Sequence, residues 1–165
     1  MANFDEHISQ AVKNIKVLSD INKLVPDTWD WQVTIGFYVA VHCANAHIAK
    51  TINQHYRSHG DVKNAINFYS QMNPSKFDED AYLAYVKLQN YSRRARYLCN
   101  DNPNDLSEKA HHISEKHFAK SLRLLNKVLG YIEETHPSIS IPRVSIICDS
   151  LKENELSVFL KSAST

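Results

Sequence analysis

Residues 28 to 54 form one long run that is apolar nearly all round, and few folds have room for such a segment. A helix that is apolar on every side has to be enclosed by other elements, so this run predicts the central helix of a bundle. Its flanks agree, because Pro26 ends what precedes it and Asp27 and Thr28 can cap its start. Within the run, Trp31, Ile35, Tyr38, His42, Asn45 and Ala49 recur at steps of three and four and share one stripe. Burying polar groups without partners costs roughly 1–3 kcal/mol each. Tyr38, His42 and Asn45 are therefore expected to pair or to touch a ligand.

The rest of the chain supplies the enclosing helices. Phe4, Ile8, Ala11, Ile15 and Leu18 give residues 3 to 24 one apolar face. Ser58 followed by Asp61 resembles a capping box and opens a short helix expected from Asp61 to about Met72, closed by Asn73 and Pro74. A long helix is expected from Phe77 to Cys99, with a break at residues 100–105. Leu106, Ala110, Ile113, His117, Ser121, Leu124, Val128 and Ile132 line one face of a last long helix, stopped by Pro137. Three glycines and five prolines in 165 residues leave little material for tight turns. The expected fold is all-α, an up-and-down bundle of four to five helices over residues 1–136. Residues 137–165 read as a C-terminal arm, because Ile139, Ile141, Val144, Ile146 and Ile147 are β-branched and a second patch runs from Leu156 to Leu160. An extended arm or hairpin docked on the bundle, or on another subunit, is expected there.

A net charge of +1 provides no global field for nucleic acid or a membrane surface, so any anionic ligand must be held by a local patch. Cys43, Cys99 and Cys148 are odd in number and lack metal-type spacing, which reads as buried thiols in a reducing compartment. The first residues carry no basic and apolar leader pattern, and no run approaches the roughly 18 apolar residues of a membrane span. A cytoplasmic protein without a membrane partner is expected.

Chemistry-bearing residues gather on two helices. Tyr85, Gln89, Ser92 and Arg96 form a polar stripe on the helix from Phe77 to Cys99. If it faces the stripe of the central helix, Arg96 lies near His42, and a fixed guanidinium meets a titratable imidazole around one pocket. The alternative is that Arg96 pairs with Asp30 and staples the bundle. Arg93, Arg94 and Arg96 with Tyr91 and Tyr97 are arginines interleaved with aromatics, which suits a phosphate backbone and stacked bases, or simply a solvated face. His55, His59, His111, His112 and His117 lack converging ligand spacing, so no metal site is expected. No glycine-rich phosphate loop or nucleophile motif occurs, and no cofactor is expected.

Taken together, Asp30-Trp31, Phe37-Tyr38 with Ala40 and His42, Ser58-His59, and Tyr85 through Leu88 to Ser92-Arg93 and Ala95-Arg96-Tyr97 resemble the pattern of small bacterial HEPN-like proteins (higher eukaryotes and prokaryotes nucleotide-binding). The resemblance covers roughly residues 28 to 99. It implies a bundle of four or five helices, often dimeric, and a metal-independent ribonuclease or toxin of defence or toxin–antitoxin systems, or a protein that only binds nucleotides or partners. Catalytic members carry a histidine four to six residues beyond an arginine on one helix. Here none of Arg57, Arg93, Arg94, Arg96, Arg123 or Arg143 is followed by histidine at that spacing. A histidine from another helix would have to meet Arg96.

Two function classes follow. The first is RNA or nucleotide binding, extending to a diverged ribonuclease, with His42, His59 and Arg96 as catalytic candidates and Tyr38, Asn45, Ser92, Arg93 and Tyr97 as ligand-binding candidates. The second is a noncatalytic interaction module or self-associating scaffold, in which the arm from Ser138 to Leu160 pairs with a cognate protein or forms a homodimer.

Overall fold

The computed structural model describes residues 2–99 and 110–162. Four long helices and one short one make the bundle: α1 (Phe4–Leu24), α2 (Trp29–Ile52), α3 (His59–Ala65), α4 (Glu79–Tyr97) and α5 (Glu115–Thr135). Two short strands follow, β1 (Val144–Ile147) and β2 (Phe159–Ser162). Helix α2 packs against α1, α4 and α5, while α4 also packs against α5. The run that is apolar all round is thus the central helix, and Val33, Phe37, Val39, Ala40, Cys43, Ala44 and Ile48 are fully enclosed.

Local chemistry sets the helix ends. Asn3 and Glu6 form a reciprocal capping box on α1, with Glu6 N donating to Asn3 Oδ1 at 2.9 Å and Asn3 N donating to Glu6 Oε2 at 2.8 Å. Asp78 caps α4 by accepting from Ala81 N at 2.7 Å. Ser58 Oγ accepts from Asp61 N at 3.1 Å, as its spacing suggests, and places His59 at the first position of α3.

Helix α4 loses two residues at each end of the expected Phe77 to Cys99, and two other helices fall short by more. Helix α3 stops at Ala65 rather than near Met72, because Asn73 and Ser75 fold back on its last carbonyls: Ser75 Oγ donates to Ala65 O at 2.7 Å and Asn73 Nδ2 to Asn64 O at 3.1 Å. Helix α5 starts at Glu115, not in the region of Leu106, which lies outside the described residues together with the break at 100–105. Ser114 is the N-cap, and its backbone N–H donates to His117 Nδ1 at 3.1 Å. Residues 110–113 are non-helical, and Arg94 holds them by donating to the carbonyls of His111 (3.2 Å) and His112 (3.0 Å).

The C-terminal arm lies on its own bundle. β1 and β2 pair in parallel, so they are not the two arms of a hairpin. Asn22 of α1 grips β1, accepting from Ile147 N at 2.7 Å and donating to Ile147 O at 3.0 Å, and Ser19 Oγ donates to Ser145 O at 2.8 Å. On α5, Arg123 pairs with Glu155, and Asn126 Oδ1 accepts from the backbone of Ser157 and Val158 at 3.1 Å. Ile141, Ile146, Leu151, Leu156, Val158 and Phe159 enter the same hydrophobic core as the helices. Cys43 and Cys148 are buried free thiols, and burial pushes the Cys43 thiol up to about 12.

Candidate functional site

The first turns of α2, the start of α3 and the last turn of α4 meet at one rim. His59 enters it from the first position of α3, its ring 5.1 Å from that of Phe37 and 5.6 Å from that of Tyr38. From α4, Arg96 arrives with Nε donating to Ser92 O at 3.2 Å and Cζ 5.2 Å from the Tyr97 ring. Asp30, Trp31, Thr34, Ala95 and Arg96 line a small cleft of about 160 Å³ between α2 and α4. Three aromatic rings stand open to solvent around this spot: Trp31 is 62% exposed, Tyr97 67% and Tyr38 37%.

The electrostatics of the rim are specific. Burial first, and then the neighbouring Arg96 charge, hold the His59 pKa below its ordinary value, so the ring is neutral at pH 7. Its Nδ1 is buried without a hydrogen-bond partner, as are the Ser92 and Tyr85 hydroxyls. Although Arg96 shares the cleft with Asp30, it makes no ion pair among the described residues, so the stapling role does not appear. A guanidinium without an ion-pair contact next to a neutral imidazole can hold an oxyanion and accept a proton.

Of the residues singled out from the sequence, the structure brings His59, Arg96, Tyr38 and Tyr97 together. Ser92 is fully buried and supports Arg96 from beneath through its carbonyl. Arg93 is exposed, and Arg94 is committed to the 111–112 backbone. Asn45 is tied up as well, donating to Tyr56 O at 3.1 Å and accepting from Tyr56 N at 2.8 Å, so both ends of its amide secure the loop after α2. His42 turns toward α1 rather than toward Arg96: its Nδ1 sits 3.2 Å from His7 Nδ1, with the His55 ring 5.5 Å from that of His7. Burial lowers the pKa of His42.

Sequence reasoning left Trp31 out of the site, although its seven-residue separation from Tyr38 on one stripe carried the signal. It also missed His7, which interrupts the apolar face of α1 one turn before Ala11. A second histidine pair closes the other end of α2, where His47 Nδ1 lies 3.1 Å from His136 Nε2. Among the described residues, no group of three or more histidine, cysteine, aspartate or glutamate side chains is arranged to hold a metal ion. None of the described helices is long and apolar enough to cross a membrane. No protein-family model matches the chain, and neither does any curated protein or solved structure.

Proposed function

We propose that the rim built by Trp31, Tyr38, His59, Arg96 and Tyr97 binds single-stranded RNA or a nucleotide, and that the protein is a metal-independent ribonuclease of HEPN-like descent. The observation that carries this is the convergence of one unpaired guanidinium, one neutral imidazole and three open aromatic rings. Arg96 takes the phosphate, and the exposed rings offer stacking faces for bases. In cleavage, His59 accepts the proton of a ribose 2′-hydroxyl as its oxygen bonds to phosphorus. The 5′-oxygen leaves and is protonated by water, while Arg96 stabilises the charge that builds on the phosphoryl oxygens. The HEPN-like resemblance of residues 28 to 99 supports this reading and extends it to a toxin of a defence or toxin–antitoxin system. The interaction-module alternative has less support, since the chain's own core takes up most of the arm's apolar side chains, Leu160 excepted.

The test is binding and cleavage of a single-stranded RNA by purified wild type, His59→Ala and Arg96→Ala, with helical circular dichroism as the folding control. His59→Ala should retain binding and lose cleavage; Arg96→Ala should lose both. Wild-type behaviour in both variants would overturn the assignment.

A further inference from the structure

The largest cavity described, about 450 Å³, lies away from the rim, between α4 and α5. Sequence spacing explains how it forms. Lys87 and Tyr91 are one turn apart on α4, while Lys120, Leu124 and Lys127 follow one another along α5, so two stripes look into one groove. Tyr91, Leu124 and the lysine stems give the groove apolar lining, and Lys87 and Lys120 are exposed residues, as expected of long side chains that keep their charged ends in water. A volume of this size falls within the roughly 300–1,000 Å³ typical of small-molecule sites.

The charges are not equivalent. Arg123 is paired with Glu155, and Lys127 Nζ lies 2.8 Å from Asp80 Oδ2. Lys87 and Lys120 have no acidic partner among the described residues. Two like charges thus belong to one apolar-lined groove in a chain of net charge +1. Glu155 and Asp80 neutralise Arg123 and Lys127, so the free charge at the groove is confined to Lys87 and Lys120, a compact pair and not the long basic track that a nucleic-acid strand follows. Ion pairs between exposed groups are weak in water, so a bare inorganic anion gains little. An anion that also covers Tyr91 and Leu124 gains from apolar burial as well.

We propose that this groove binds a small organic anion, its head between Lys87 and Lys120 and its apolar body against Tyr91 and Leu124. Titration of the full chain with phenyl phosphate, octanoate and inorganic phosphate, followed by NMR, tests this. At least one organic anion should bind about tenfold or more tightly than inorganic phosphate, with resonance shifts at Tyr91 and Leu124. Comparing phenyl phosphate with octanoate tells a phosphate-ester head from a carboxylate. The double variant Lys87→Ala/Lys120→Ala should weaken binding about tenfold or more at unchanged helical circular dichroism, whereas Lys87→Arg/Lys120→Arg should retain it. Failure of both organic anions to bind, binding no tighter than inorganic phosphate, or wild-type affinity in the double alanine variant would overturn the proposal.

Discussion

Histidines occupy two kinds of place around α2, and the contrast separates scaffold from chemistry. At the interior, His42 meets His7 of α1, and His47 meets His136 just beyond α5, so each pair ties a neighbouring helix to the central one. At the rim, His59 has no histidine partner and faces a guanidinium and open aromatic rings. The residue type is the same, but each histidine of the first kind has one ring nitrogen against a partner that the fold supplies, the second nitrogens of His7 and His47 staying unpartnered, whereas the buried Nδ1 of His59 meets no partner from the fold. A buried polar residue on a core helix therefore points to function only when its partner does not come from the fold itself.

The largest expected effect separates the two kinds directly. His59→Ala should lower RNA cleavage by roughly a hundredfold or more, the scale of a lost general base, while its urea midpoint stays near that of wild type. His42→Ala should do the reverse, keeping cleavage and lowering the midpoint.

Acid comes next. Burial first, then the neighbouring His42 and His55, hold folded His7 down to about 4, and burial followed by His136 does the same for His47. Unfolded histidine titrates near 6.5, so between these values the unfolded chain binds more protons than the folded one. The stabilisation is complete above pH about 6.5 and is lost as pH falls toward 4, on the order of 3 kcal/mol for each residue at the upper limit. Urea unfolding at several pH values measures this loss, and His7→Gln should flatten the slope.

Smaller effects sharpen the same division. Asn45→Ala strands the Tyr56 backbone and should cost about 2 kcal/mol of unfolding free energy without altering RNA affinity. Trp31→Ala, at an open position, should leave stability unchanged and weaken RNA binding by about 1 kcal/mol or somewhat more, read by fluorescence anisotropy.

Much of the bundle was legible because apolar spacing records which side of a helix is covered. The all-round apolar run announced α2 as the centre, and the alternation in residues 3 to 24 announced α1. Helix ends governed by side chains from elsewhere were not legible: nothing local to Ala65 says that Asn73 and Ser75 will take its neighbouring carbonyls. The site divides the same way. The stripe containing Arg96 was visible, and so was His59 behind its Ser58 cap. Whether His42 faced Arg96 or α1 depended on how two helices dock on α2, which periodicity within one helix does not encode. The α4–α5 groove was hidden for that reason too, since Lys87 and Lys120 look like ordinary solvated lysines until the helices lie side by side.

The central claim is that His59 and Arg96 share one electrostatic environment while His42 belongs to another. The pKa values of both histidines, measured by NMR titration in wild type and Arg96→Ala without any ligand, test it most directly. Removal of the guanidinium should raise the His59 pKa toward the ordinary histidine value and leave that of His42 unmoved. A His59 titration indifferent to Arg96, or a His42 titration that follows it, would contradict the account.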